Sequence, residues 1–158
     1  MGRETAEIGV DYGHTVTMHE SKCKHLHGHR GRVIATVDGE IISDPNSSSN
    51  GMVIDFGDLK KAMMRVIDAP YDHAFMVWKE DPRAKLLSQA HDMWHNDINK
   101  FHLTDFIPTA ENITKHWFNL LEVELRTKYN ILLQSIEMYE TPSSSAIYTR
   151  DDFLRDNK

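Results

Sequence analysis

Apolar and polar residues alternate along the first part of the chain. One phase of residues 7–17 is largely apolar and the other is small or polar, which is the pattern of a strand with one buried face. The apolar phase contains Ile8, Val10, Tyr12, His14 and Val16. Residues 30–42 are rich in β-branched side chains and predict a second strand.

Helical patterns follow these strands. After a polar loop, Asp55 is suited to be the N-cap of a helix that runs to about residue 67. The segment 79–106 is harder to interpret, although Asp81-Pro82 has the form of a helix start. One face of this second helix would carry Ala84, Leu87, His91 and Trp94.

A third helix is predicted from about Thr109 to Asn130. Apolar side chains recur there at helical spacing, and Asn at the end can adopt a left-handed C-cap. Two further strands are predicted over residues 131–139 and 146–149. The order is therefore strand, strand, helices, strand, strand. Because no internal repeat or linker interrupts it, we expect a single α+β domain over residues 1–158.

Composition and charge narrow the class of function. The 158 residues carry a net charge of −6 with no basic block, which argues against a nucleic-acid-binding protein. No apolar run approaches the roughly 20 residues that span a bilayer, so no membrane segment is expected. The single cysteine, Cys23, excludes an intramolecular disulfide and fits a reducing compartment. We therefore expect a cytoplasmic protein.

Five of the ten histidines lie within residues 14–29. His27 and His29 are two positions apart, so on an extended backbone they point to the same side and can bind one ion. Gly28 between them lets the chain pass close to that ion. Imidazole nitrogen suits zinc, whose catalytic sites typically keep three protein ligands and one open position.

The third ligand has three candidates, His14, His19 and His25. His25 shares the alternation with His27 and His29, but three successive positions on one strand face span roughly 13 Å at about 3.3 Å per residue. That span is too long for one tetrahedral ion. His14 lies on the apolar face of the first strand and can reach across to the second, so we favour it, with the loop residue His19 as the alternative.

Three further motifs carry candidate chemistry. Asp72-His73 places a carboxylate beside an imidazole, which suits a proton carrier. Residues 108–112 predict a helix start with Thr109 as N-cap. Glu140 follows a strand that is apolar on one face, and is either an exposed strand end or a ligand anchor.

Together these motifs resemble the 6-pyruvoyltetrahydropterin synthase / 6-carboxytetrahydropterin synthase family. The matching segments cover most of the chain: Gly13-His14, residues 19–30, residues 51–60, Asp72-His73, residues 108–112, and Glu140-Thr141 with Tyr148. Cys23, four residues before His27, resembles the bacterial 6-carboxytetrahydropterin branch. The chain departs from the family pattern at His25, where Asn is frequent, at Gly31, where an aromatic residue is usual, and in a longer segment at 79–106.

The resemblance implies a fold, a metal and an assembly. The fold would be the tunnelling fold, with an antiparallel four-stranded sheet in ββααββ order and helices on one face. Zinc would be held by His14, His27 and His29. Thr109 and Glu111 are candidate substrate-binding residues. The assembly would be a ring-shaped homo-oligomer, a hexamer built as a dimer of trimers, with sites at subunit interfaces.

The resemblance also implies a reaction on 7,8-dihydroneopterin triphosphate. Cys23 would abstract a proton, Asp72 and His73 would relay it, and Glu140 would anchor the pterin ring. Triphosphate would be eliminated. In the 6-carboxy branch the side chain is then cleaved with loss of acetaldehyde, a step towards queuosine and other 7-deazaguanine compounds.

Other functions remain open at the level of sequence. A 6-pyruvoyltetrahydropterin synthase would eliminate triphosphate but keep the side-chain carbons. A non-catalytic zinc- or pterin-binding module would be expected to have lost Cys23 or the Asp72-His73 pair, and this chain has both. A purely structural α+β protein would bind no stoichiometric zinc.

Overall fold

The alternating segment at the start of the chain forms β1, Gly2–His14, and the β-branched segment forms β2, His27–Gly39. The computed structural model of the protein describes residues 1–93 and 99–158. β1 and β2 pair antiparallel along their full length, with Tyr12 opposite His29 and His14 opposite His27. Cross-strand partners point to the same face of a sheet, so this register decides which side chains meet.

The predicted helix after Asp55 is present. It begins as α1, Phe56–Met63, where the Asp55 side chain accepts the Gly57 backbone N–H. It continues through a π-helical turn, Met64–Asp68, into the short α2, Ala69–Tyr71. The helix predicted after Asp81-Pro82 is α3, Ala84–Asp92. Trp94, which the sequence placed on the face of that helix, lies outside the described residues.

The second half of the chain follows the predicted order closely. α4, Ala110–Tyr129, is capped by Thr109 and ends at Asn130, whose φ of 54° is the left-handed conformation predicted for it. The strands β5, Leu132–Thr141, and β6, Ser144–Thr149, form an antiparallel pair. A further helix, α5, Arg150–Asp156, follows β6 directly.

The sheet differs from the expected one. Two more strands, β3, Ala74–Trp78, and β4, Phe101–Thr104, join the side of β1 that β2 leaves free. The order is β4-β3-β1-β2-β5-β6, with β3 parallel to both β1 and β4. The prediction of an antiparallel four-stranded sheet in ββααββ order is therefore wrong. Both added strands are short, and their parallel pairing needs crossover connections rather than hairpin turns.

The helices also lie on both faces of the sheet rather than on one. α1 and α4 cover the main core, to which β3 contributes Met76. Val77, the next residue of β3, belongs instead to a separate cluster with Ala84 of α3 and Phe101 of β4. Because successive strand residues point to opposite faces, α3 packs on the side of the sheet away from α4.

The main core is built around α4. Its fully buried side chains Trp117, Phe118, Leu121 and Leu125 pack with residues of α1 and with the inward face of β1, β2 and β5. Within the described residues no helix is long and apolar enough to cross a membrane.

Candidate metal centre and active site

Three histidines meet where β1 ends and β2 begins. The ring centroids lie 4.5 Å apart for His14 and His27, 5.0 Å for His14 and His29, and 4.9 Å for His27 and His29. One nitrogen from each ring lies within 4.8 Å of the others, so the group could hold a metal ion. The alternatives His19 and His25 lie outside it, since both are exposed loop residues.

Hydrogen bonds turn two of the rings towards a common point. His14 Nδ1 donates to the Pro108 carbonyl at 2.6 Å, and His27 Nδ1 donates to the His25 carbonyl at 2.7 Å. A carbonyl cannot donate, so each Nδ1 carries the hydrogen and each Nε2 presents a lone pair. This is the arrangement of metal-binding histidines whose other ring nitrogen is held by a backbone carbonyl.

One of the three imidazoles has an Nε2 atom without the partner that a metal-free site would need. His27 Nε2 is buried and has no hydrogen-bond partner in the described part of the chain. His29 Nε2 lies only 3.0 Å from His14 Nε2, which presents a lone pair. A buried polar atom without a partner costs free energy, and a metal ion would satisfy these nitrogens together. The donor set therefore fits a metal of the zinc class.

The protonation states of His14 and His29 also suit a metal. Burial lowers the pKa of His14 although its bond to the Pro108 carbonyl acts in the opposite direction. Burial likewise lowers the pKa of His29, with the nearby Glu140 carboxylate opposing it. The neutral ring is the form that binds metal, so burial favours the competent form near neutral pH.

Glu140 reaches the histidine cluster from the end of β5. Its Oε1 lies 3.5 Å from His14 Nε2 and 3.6 Å from His29 Nε2. The same oxygen accepts a hydrogen bond from the Tyr12 hydroxyl at 2.9 Å. Burial raises the pKa of Tyr12, so the hydroxyl stays protonated and donates. Of the two roles considered for Glu140, its position favours a ligand anchor over an exposed strand end.

The Asp72-His73 pair is preorganised beside β1. His73 Nδ1 lies 2.7 Å from Asp72 Oδ2, and Asp72 Oδ1 accepts the Asp11 backbone N–H at 2.9 Å. Although burial alone would raise it, the pKa of Asp72 is lowered by this N–H and by the His73 ring. His73 has a φ of 59°, and its side chain is 77% exposed. An exposed imidazole held by a carboxylate is suited to exchange protons.

A cavity of about 580 Å³ lies between His73 and the ends of β1 and β2. Its lining includes His73, Phe75, Arg30 and two glycines that pair across β1 and β2, Gly13 and Gly28. A Cβ atom at Gly13 would lie 2.6 Å from the Phe75 ring, so glycine is needed for this close approach. The cavity also touches His27 and His29 and so connects the imidazole cluster with His73.

Cys23 lies apart from both groups within one chain. It is partly buried in the 3-10 turn Lys22–Lys24, between β1 and β2. In the described ranges, no hydrogen bond joins its thiol to His73 or Glu140, and Cys23 does not line the cavity beside His73. Cys23 thus lies near the start of β2, and its thiol has no hydrogen bond to Asp72 or His73 of the same chain within the described residues.

The helix-start motif, residues 108–112, contacts the histidine cluster through the backbone carbonyl of Pro108. Thr109 Oγ1 accepts the Asn112 backbone N–H at 3.3 Å as the N-cap of α4, and Glu111 is exposed in the first turn. Substrate contacts of Thr109 and Glu111 stay predictions. The residue that sequence reasoning missed is Pro108, whose carbonyl orients His14. Tyr12 was also missed, although it shares the buried phase of β1 with His14.

The chain is similar to known proteins in sequence and in fold. A 6-carboxy-5,6,7,8-tetrahydropterin synthase of Haemophilus influenzae is 31% identical over 148 residues, which are 94% of this chain and 99% of the relative. The protein of that name from Rickettsia conorii is 34% identical, over 88% of this chain and 94% of its own. The crystal structure of an uncharacterised protein from Wolinella succinogenes has a TM-score of 0.75 at 26% identity, covering 94% of this chain and 98% of that one.

Most of the chain also matches the sequence pattern of one protein family. Residues 5–151 match the family described as 6-pyruvoyl tetrahydropterin synthase. This range contains the three clustered histidines, the Asp72-His73 pair and Glu140. The chain belongs to the 6-pyruvoyl tetrahydropterin synthase family.

Proposed function

We propose that this protein is a zinc-dependent lyase of the 6-carboxy-5,6,7,8-tetrahydropterin synthase type. Its substrates would be 7,8-dihydroneopterin triphosphate and one water molecule, and its products would be 6-carboxy-5,6,7,8-tetrahydropterin, acetaldehyde and triphosphate. The reaction would serve the synthesis of queuosine or other 7-deazaguanine compounds in the cytoplasm. The observation that carries the proposal is the cluster of His14, His27 and His29 beside Glu140, in a chain that aligns with bacterial relatives of that name along nearly their full length.

The chain's own residues divide the work of binding. A zinc ion held by the three imidazoles would polarise the side-chain oxygens of the substrate and acidify its hydroxyl groups. Glu140 would accept hydrogen bonds from the amino and ring N–H groups of the pterin, a bidentate contact of a carboxylate. The Tyr12 hydroxyl fixes Glu140 Oε1 by a 2.9 Å hydrogen bond, so the anchor is held before the substrate arrives.

Proton transfer would fall to Cys23, Asp72 and His73. Cys23 would abstract the proton as a thiolate, and His73 would carry protons to and from the reacting carbon. Asp72 keeps the His73 ring in place through its 2.7 Å contact with Nδ1. A homo-oligomer with sites at subunit interfaces, a hexamer made of two trimers by resemblance to the family, would allow Cys23 and His73 to act together.

One assay separates the candidate functions. Purified protein is analysed for zinc and then incubated with 7,8-dihydroneopterin triphosphate, and products are identified by mass spectrometry together with an acetaldehyde assay. The proposal predicts one zinc per chain and equal amounts of acetaldehyde and 6-carboxytetrahydropterin.

The other outcomes each contradict the proposal in a specific way. Release of triphosphate without acetaldehyde would identify a 6-pyruvoyltetrahydropterin synthase instead. Zinc and pterin binding without turnover would identify a binding module. Absence of stoichiometric zinc would leave a structural protein. Light scattering of the same sample tests the hexamer.

A further inference from the structure

Shortly after β3, the buried Asp81 and the partly exposed Arg83 form an ion-paired anchor. The Asp81 side chain is fully buried, and its Oδ1 accepts the Arg83 backbone N–H at 2.8 Å and the Arg83 Nε at 3.0 Å. Its Oδ2 accepts Arg83 Nη2 at 2.8 Å. These hydrogen bonds hold the pKa of Asp81 well below its usual range although burial opposes them, so the carboxylate stays ionised. Such bidentate, charge-assisted contacts are the strong ones in proteins.

The same guanidinium reaches the turn that carries Cys23. Arg83 Nη1 donates to the Lys24 carbonyl at 2.8 Å, and Arg83 Nη2 donates to Thr15 Oγ1 at 2.9 Å. The Thr15 hydroxyl donates in turn to the Lys24 carbonyl at 2.7 Å. One cation therefore joins the end of β1 to the last residue of the Lys22–Lys24 turn.

Two more hydrogen bonds link the turn to Asp81 through the residues that follow β1. The Val16 backbone N–H donates to the Cys23 carbonyl at 2.9 Å. The Thr17 hydroxyl donates to Asp81 Oδ2 at 2.7 Å in a buried position. The Cys23 thiol has no hydrogen bond of its own within residues 1–93 and 99–158. The position of its Sγ atom therefore depends on the backbone of the turn, and that backbone is attached to Asp81 and Arg83.

We propose that Asp81 and Arg83 are positioning residues that fix the Lys22–Lys24 turn and thereby place the Cys23 thiol in the active site. The inference rests on the proposed function for the role of Cys23 as the base, whereas the anchor itself does not depend on it. This positioning role would also account for the start of the segment 79–106, which contains both residues. Arginine suits this purpose because its planar fork reaches several acceptors at once, which a lysine ammonium cannot do in the same geometry.

The test uses the full-length, zinc-loaded protein. Arg83→Met removes the guanidinium but keeps the aliphatic stem. The double variant Asp81→Asn/Arg83→Met removes both charges, so no unpaired carboxylate is left buried. Alkylation by iodoacetamide is followed by intact mass, because Cys23 is the only cysteine in the sequence. Turnover, KM and zinc content are measured on the same samples. Lys79→Met, which breaks an exposed ion pair with Asp105 in the same segment, is the matched control.

We expect the double variant to be alkylated several-fold faster than the control and to lose about tenfold in kcat, because small misplacements of a catalytic group are costly. KM and zinc content should stay within about twofold, since substrate and metal contacts are untouched. Equal alkylation and equal kcat in the double variant and the Lys79→Met protein would overturn the proposal. A loss of zinc, or a joint change of kcat and KM, would also overturn the proposal, because either result indicates general unfolding. If the unmodified protein has no turnover, the proposed function fails, while the alkylation rates still decide about the anchor.

Discussion

Removing the Tyr12 hydroxyl tests how firmly the site holds its carboxylate. Tyr12→Phe keeps the ring, which packs against His29 and Trp117, and deletes the hydrogen bond to Glu140 together with the long contact to Met138 Sδ. Glu140 Oε1 then loses the one hydroxyl donor that the described residues provide, at a place where it also faces the nitrogens of His14 and His29. We expect both stability and substrate binding to weaken.

The size of the effect follows from the exposure of the two partners. A hydrogen bond to a charged group contributes about 1.5–3 kcal/mol net. Tyr12 is buried, but the Glu140 side chain is 22% exposed, so water can partly replace the lost donor. We therefore expect the lower end, about 1.5 kcal/mol of unfolding free energy. With a urea m-value of about 2 kcal/mol/M, the midpoint should fall by about 0.7 M.

Urea denaturation of the metal-free protein measures this loss, and KM measures the consequence for binding. If the pterin needs Glu140 in its fixed position, a loss of about 1.4 kcal/mol weakens binding tenfold. Tyr139→Phe is the matched control. Tyr139 lies one residue before Glu140 with its ring under Arg32, and its hydroxyl has no hydrogen bond in the described part of the protein. Equal unfolding free energies for the two variants, within about 0.5 kcal/mol, would refute the reasoning.

Further perturbations test the metal ligands, the proposed base Cys23 and the buried Asp81. His27→Ala should reduce zinc from one per chain to a trace by atomic emission, whereas His25→Ala should retain it, because the His25 side chain is exposed and only its carbonyl contacts the cluster. Cys23→Ser should lower kcat by at least about 100-fold with zinc unchanged, and a smaller loss would remove Cys23 from the role of base. Asp81 has a lower pKa in the folded chain than the unfolded value of about 3.9, so its stabilising effect is complete above that pH and is lost as the pH falls. Asp81→Asn should thus be less stable at neutral pH, and its unfolding free energy should fall less than that of the parent between about pH 5 and about pH 2, as measured by urea titration.

Periodicity alone predicted the elements that bury one continuous face. α4 begins after Thr109 and ends at the left-handed Asn130, as its apolar spacing and terminal residues indicated. β1 and β2 likewise follow the alternation and the β-branched run. In these elements the local signal and the tertiary environment agree, so their type and order were predicted correctly, but β1 and β2 both begin and end earlier than the predicted residues 7–17 and 30–42.

The strands β3 and β4 had no such signal. They contain only five and four residues, too few for alternation to show. Their parallel pairing leaves no hairpin turn in the sequence, because α3 and its connections carry the chain between them. The fold predicted from sequence therefore lacked β3 and β4, the strands next to which Asp72 and His73 contact the end of β1.

The histidine cluster shows which part of a site sequence can predict. Alternation placed His14 on the buried face, and strand pairing then placed it opposite His27. The hydrogen bond that orients its ring comes from Pro108, 94 residues away, and no local pattern indicates it. Tyr12 was within reach of sequence reasoning, since a tyrosine two residues before a candidate ligand shares its face. Its partner Glu140 is 128 residues distant.

Tyr12 also packs over Gly31 on the neighbouring strand. A Cβ atom at Gly31 would lie 2.9 Å from the Val10 carbonyl and 3.1 Å from Cε1 of the Tyr12 ring. The ring of Tyr12 thus covers position 31 from the neighbouring strand, and only a residue without a side chain fits beneath it. Because this ring carries the hydroxyl that binds Glu140, the glycine at 31 and the fixed position of the carboxylate depend on the same side chain.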